Sequence, residues 1–73
     1  DVREKGEFQE GHIANAKNYP LSTLEQEYKT LNPEQKYYVI CQGGMRSARA
    51  CEILEAKGFD VTNVEGGMNQ WQA

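Results

Sequence analysis

The chain has 73 residues, eight basic and eleven acidic for a formal net charge of −3, which allows one domain with a small core and excludes two. With 38% apolar and 26% charged residues it is neither a disordered polyelectrolyte nor a low-complexity or collagen-like chain. Its longest apolar run, Tyr37 to Cys41, is far below the roughly 20 residues of a membrane helix, no signal peptide opens it, and its scattered Lys and Arg argue against nucleic acid as a partner.

The amino-terminal third reads as Asp1-Val2-Arg3 ending a strand, Gly6 to Gly11 forming a short helix or turn, and Ala16 to Tyr19 a short strand. From Leu21 the apolar residues Leu21, Leu24, Tyr28 and Leu31 fall at helical spacing, Ser22 and Glu25 have the S-x-x-E spacing of a capping box, and Asn32-Pro33 stops the helix. Tyr37 to Cys41 is a continuously apolar run rich in β-branched and aromatic residues, the pattern of a strand buried on both faces, and Gln42-Gly43-Gly44 breaks it. A second helix runs from Ser47 through Ala48, Ala50, Cys51, Ile53 and Leu54 to a left-handed cap at Gly58, and Val61 to Val64 follows as another strand. Strand, loop, helix and strand make a right-handed βαβ unit with parallel strands, so the fold class is α/β. Gly66-Gly67 turns into a last helical turn in which Met68 and Trp71 are expected to plug the core.

Ligands of an open parallel sheet sit at the carboxyl ends of its strands, and Cys41 stands at such an end, just before a helix amino terminus. The segment Cys41-Gln42-Gly43-Gly44-Met45-Arg46-Ser47 therefore carries the strongest chemical signal. Gly43 and Gly44 let the loop curl its amides inward as an anion-binding nest, and the helix dipole adds to the positive field. Such surroundings lower a cysteine from about 8.5 into the range ~3.5 to ~7.5 and supply a thiolate at neutral pH. Arg46 adds a permanent charge and a fork of donors suited to an oxyanion.

These residues, with Asp1-Val2-Arg3-Glu4, Gly11-His12-Ile13, Ala16, Asn18, Pro20 and Val64 through Gly66-Gly67-Met68 to Trp71, resemble the rhodanese-like domain of the single-domain sulfurtransferase type. The resemblance spans nearly the whole of residues 1–73, read as one domain. It implies a three-layer open parallel sheet flanked by helices, here without the family's first strand and helix. It also implies a sulfurtransferase in which Cys41 takes a sulfane sulfur from a donor such as thiosulfate or a small persulfide, holds it as a persulfide and passes it to cyanide or a thiol. Gln42, Gly43, Gly44, Met45, Arg46 and Ser47 would line the substrate site. Cysteine phosphatases and arsenate reductases place one more residue between cysteine and arginine than the four found here, so the cradle suits a sulfur rather than a phosphate.

No cofactor or metal is expected, because two cysteines ten residues apart match no zinc pattern. Both read as thiols of a reducing cytosol, and the cytoplasm is the expected location. Cys51 reads as packing, since the helix rise carries it away from the loop. His12 reads as structural, and Asp1 and Arg3 as either pocket residues or a salt bridge. Asn15 stands where the family has a glycine, at a turn that asparagine tolerates at positive φ. The missing edge points to a marginal or dimerising fold, or to one part of a larger parent chain. The reading of a different class is a non-catalytic docking or regulatory module of such a parent.

Overall fold

The computed structural model describes residues 1–71. A short helix α1 (Lys5–Glu10) is followed by a helical stretch in three pieces: a 3-10 turn at Leu21–Thr23, α2 (Leu24–Glu27), and a second 3-10 turn at Tyr28–Thr30. Then come β1 (Lys36–Val39), α3 (Met45–Ala56), β2 (Asp60–Asn63) and α4 (Gly67–Gln70). Strands β1 and β2 pair in parallel, with Lys36 opposite Asp60 and Val39 opposite Asn63, and α3 is their crossover helix. The expected βαβ unit is therefore formed.

The amino-terminal residues extend the sheet past β1. The Val2 amide donates to the Ile40 carbonyl at 2.9 Å, while the Tyr19 and Leu21 amides donate to Asp1 and Val2 at 2.8 and 3.0 Å. Asp1–Arg3 thus lies between β1 and the segment that leads into the Leu21 turn. The expected strand at Ala16 to Tyr19 is not regular: the Asp1 amino group donates to the Lys17 carbonyl at 2.9 Å and the Tyr19 amide returns a bond to Asp1, but no regular strand forms over these residues. The turn before it is held by Asn15 at a φ of 70°, as its residue type predicts.

Three further expectations are corrected. Ser22 and Glu25 form no capping box: the Ser22 hydroxyl donates to Glu4 Oε1 at 2.9 Å, and the helix starts as a 3-10 turn after Pro20. Glu7 turns back on α1 instead and accepts the Glu4 amide at 3.1 Å. The run from Tyr37 is not buried on both faces. Tyr37, Val39 and Cys41 point into the main core cluster, whereas on the other face Ile40 is buried and Tyr38 is 67% exposed. Trp71 does not plug the core either; it is 46% exposed and lines a groove of about 610 Å³ with Tyr38, Tyr37 and Val64.

The core gathers Val2, Leu24, Val39, Cys41, Ala50, Cys51, Leu54, Phe59 and Val61. Leu24 is its fully buried anchor from α2, and Leu21, Tyr28 and Leu31 pack around it, so the apolar stripe read at helical spacing does face inward. Helix α3 ends as expected at Gly58, whose φ is +90°. The Gly58 amide donates to Glu55 and the Phe59 amide to Leu54, a Schellman cap that places Phe59 beside Leu54 in the core. The consequence is functional: both ends of α3 are fixed, and its amino terminus is held at the end of β1.

Candidate active site

Strand β1 ends at Val39, two residues before Cys41, and α3 begins at Met45, two residues earlier than its sequence pattern suggests. The tight turn needs Gly44 at a φ of +102°, where a Cβ would also press on the Gly66 amide at 3.1 Å. Inside this turn the buried Cys41 Sγ accepts the Gly44 amide at 3.0 Å and lies 3.4 Å from the Ser47 hydroxyl. Burial pushes the thiol up, but the Ser47 hydroxyl and the amides of Ser47, Gly44 and Gly43 outweigh it, and the net shift is downward. Cys51, in contrast, is pushed up by burial and by the Glu55 carboxylate, and it lies in the core away from these donors.

Ser47 has a single proton and three acceptors around it: Cys41 Sγ, the Gly44 carbonyl at 3.1 Å, and Asn63 Oδ1 in a short contact. Asn63 comes from the end of β2, and its Nδ2 donates to the same Gly44 carbonyl at 3.2 Å, which fixes Oδ1 towards Ser47. Substituting Ser47→Ala is therefore expected to raise the pH midpoint of Cys41 ionisation. Thiolate absorbance in the ultraviolet measures this in a Cys51→Ala background. An unchanged midpoint would remove Ser47 from the set of groups holding the thiolate.

The back of the loop is clasped by α4. The Met68 amide donates to the Cys41 carbonyl at 2.8 Å and the Asn69 amide to the Gln42 carbonyl at 3.0 Å. Gly67, with a φ of +55°, packs so closely that a Cβ there would collide with the Cys41 carbonyl oxygen. On the rim, Gln42 accepts a hydrogen bond from Arg3 Nη1 at 3.3 Å and donates to Asn69 Oδ1 at 2.7 Å. Met45 is 86% exposed beside it.

Two guanidinium groups reach this neighbourhood, and each has a carboxylate partner. Arg3 is buried, pairs with Asp1 at 2.9 Å and also donates to the Gly11 carbonyl at 2.8 Å, so it joins the sheet edge, the end of α1 and the loop. The two sequence readings of Asp1 and Arg3 thus merge into one: a salt bridge whose far end braces Gln42. Arg46 forms a two-pronged pair with Glu7 of α1, at 2.7 and 2.9 Å. Those hydrogen bonds, with that from the Glu4 amide, lower the Glu7 carboxyl to about 2, and the same pair raises Arg46.

The structure brings Cys41, Gly43, Gly44 and Ser47 together around one sulfur and places Gln42, Met45 and Arg46 around its rim. His12 stays outside, stacked on Phe8 with ring centroids 3.7 Å apart and Nδ1 donating to the Phe8 carbonyl, in keeping with a structural role. Among the described residues no cluster of three or more His, Cys, Asp or Glu side chains could hold a metal, and no helix is long and apolar enough to cross a membrane. Sequence reasoning missed Glu7, Asn63 and Asn69. For Glu7 a signal existed, a carboxylate in the first turn of the short helix before Gly11; for the two asparagines there was none.

A parallel α/β domain with a cysteine thiol in a loop of inward amides, at the amino terminus of a helix, defines an anion-cradling cysteine site. The chain belongs to the rhodanese-like domain family, whose profile matches residues 1–73. It is 40% identical over 72 residues to the YtwF protein of Bacillus subtilis (strain 168), covering 99% of this chain and 70% of that one. It is 31% identical over 74 residues to the thiosulfate sulfurtransferase GlpE of Coxiella burnetii (strain RSA 331 / Henzerling II), covering 100% and 69%. Among solved structures, the rhodanese-like domain protein of Staphylococcus aureus superposes with a TM-score of 0.93 at 45% identity, covering 97% of this chain and 70% of that one.

Proposed function

We propose that the domain transfers sulfane sulfur through a persulfide on Cys41. The observation that carries this reading is the Cys41 sulfur itself, which accepts the Gly44 amide at 3.0 Å, lies within reach of the Ser47 hydroxyl, and has its ionisation shifted downward. The thiolate attacks the outer sulfur of a donor; with thiosulfate, a sulfur–sulfur bond forms at Cys41, the donor's own sulfur–sulfur bond breaks, and sulfite leaves with the electron pair. The terminal sulfur, now the anionic atom, takes over the donors that held the thiolate. A nucleophilic acceptor such as cyanide or a thiol then removes it and returns the thiolate. No oxidant and no cofactor enter this cycle.

The relative named a thiosulfate sulfurtransferase supports the reading at the level of the chemistry. The direct test is intact mass spectrometry of wild type and Cys41→Ser after incubation with thiosulfate, followed by cyanide and a thiocyanate assay. Wild type is expected to gain one sulfur and lose it to cyanide, and the variant to gain none. A folded wild type that takes no sulfur from any sulfane donor would favour the docking-module reading instead.

A further inference from the structure

The rim arginine is not free to act as a full positive charge. Arg46 presents two of its N–H groups to Glu7, 2.7 and 2.9 Å away, in the paired geometry that gives guanidinium–carboxylate contacts their strength. Glu7 remains ionised down to about pH 2. The only other guanidinium in contact with the loop, among the described residues, is Arg3, which is buried against the Asp1 carboxylate. Arg49, further along α3, pairs with Glu52 at 3.2 Å. Glu4 precedes the short helix that carries Glu7 and Glu10 ends it, and the chain as a whole is at −3.

We infer that Glu7 sets the donor class of the site: it cancels the charge of Arg46 and tunes the pocket for a persulfide donor, R–S–SH, over a dianion such as thiosulfate. The inference rests on the sulfur-transfer reading and refines it. A thiosulfate sulfonate held outside the cradle would lie near both members of the pair, meeting the Glu7 carboxylate as well as the guanidinium. A persulfide brings no second anionic group. The Cys41 thiolate attacks its outer sulfur, the bond between the two donor sulfurs breaks, R–S⁻ leaves with the pair, and the proton stays on the transferred sulfur or passes to solvent. The donors that Arg46 turns away from Glu7 remain to orient the donor without selecting for charge.

The test compares the rates of sulfur loading of Cys41 by thiosulfate and by 2-hydroxyethyl persulfide, whose R group is uncharged, read by intact mass in wild type and Glu7→Gln. The ratio of thiosulfate to persulfide rates is expected to rise about tenfold in Glu7→Gln, since one carboxylate is lost beside a dianion at a partly exposed site. A second measurement compares salt dependence: raising ionic strength should speed thiosulfate loading relative to persulfide loading in wild type, and by less in Glu7→Gln, because one of the screened repulsions is then gone. A ratio that stays the same or falls in Glu7→Gln, or thiosulfate loading that salt slows in wild type, overturns the inference and makes Glu7 a brace that holds Arg46 for anions. Loading by neither donor in folded protein overturns the sulfur-transfer reading itself.

Discussion

Gly67→Ala is expected to destabilise the domain by about 3 kcal/mol and to reduce sulfur loading further than that loss explains. The residue sits at a φ of +55°, and its α-carbon faces the Cys41 carbonyl oxygen so closely that no Cβ fits. An alanine there adds the left-handed penalty of about 1–2 kcal/mol. It must also push α4 away from the loop, weakening the Met68 and Asn69 hydrogen bonds to Cys41 and Gln42, each worth about 1 kcal/mol. Gly66→Ala is the natural control. Its φ is +77°, and its added Cβ would press on Cβ and Cγ of Gln70 within α4 rather than on the carbonyls of the loop, so a loss without the matching fall in sulfur loading is expected. Denaturant midpoints and sulfur loading of the two variants measure the difference; equal losses of both would mean that close packing of α4 on the loop contributes nothing.

Arg3→Met is expected to cost about 3–5 kcal/mol, a large share of what a domain of this size has. Methionine matches much of the volume of arginine and can fill the space, but it leaves the Asp1 carboxylate, 0% exposed, without its cation. The Gln42 side chain and the Gly11 carbonyl lose their donors in the same step. Arg3→Lys keeps the charge and loses the fork, and should fall between. Chemical denaturation reads both, and a loss below about 1 kcal/mol for Arg3→Met would show that this pair is replaceable by packing alone.

What was legible in the sequence follows from how far apart the cooperating residues lie. Cys41 to Ser47 could be read because thiol, glycine turn and helix start are consecutive, and local backbone geometry alone brings Gly44 to the sulfur. The Gly58 cap and the inward stripe of Leu21, Leu24, Tyr28 and Leu31 were readable for the same reason. Ser22 and Glu25 had a capping spacing, yet Ser22 found Glu4 instead, a competition decided by tertiary packing. Glu7 with Arg46, Asn63 with Ser47 and Asn69 with Gln42 are pairs between distant segments, made only when α1, β2 and α4 close around the loop. Tyr38 was misjudged because an apolar run reports that a strand is apolar, not which neighbours cover it.

The clasp by α4 also determines the electrical polarity of the pocket. A trans peptide is a rigid plate with its oxygen and its hydrogen on opposite sides. Because the carbonyls of Cys41 and Gln42 are anchored backwards on the Met68 and Asn69 amides, the N–H groups of the same two plates, those of Gln42 and Gly43, have to face the opposite way. The negative end of each dipole is thus tied off behind the loop. A helix of four residues, carrying no reactive group, thereby makes the site attractive to an anion rather than a cation.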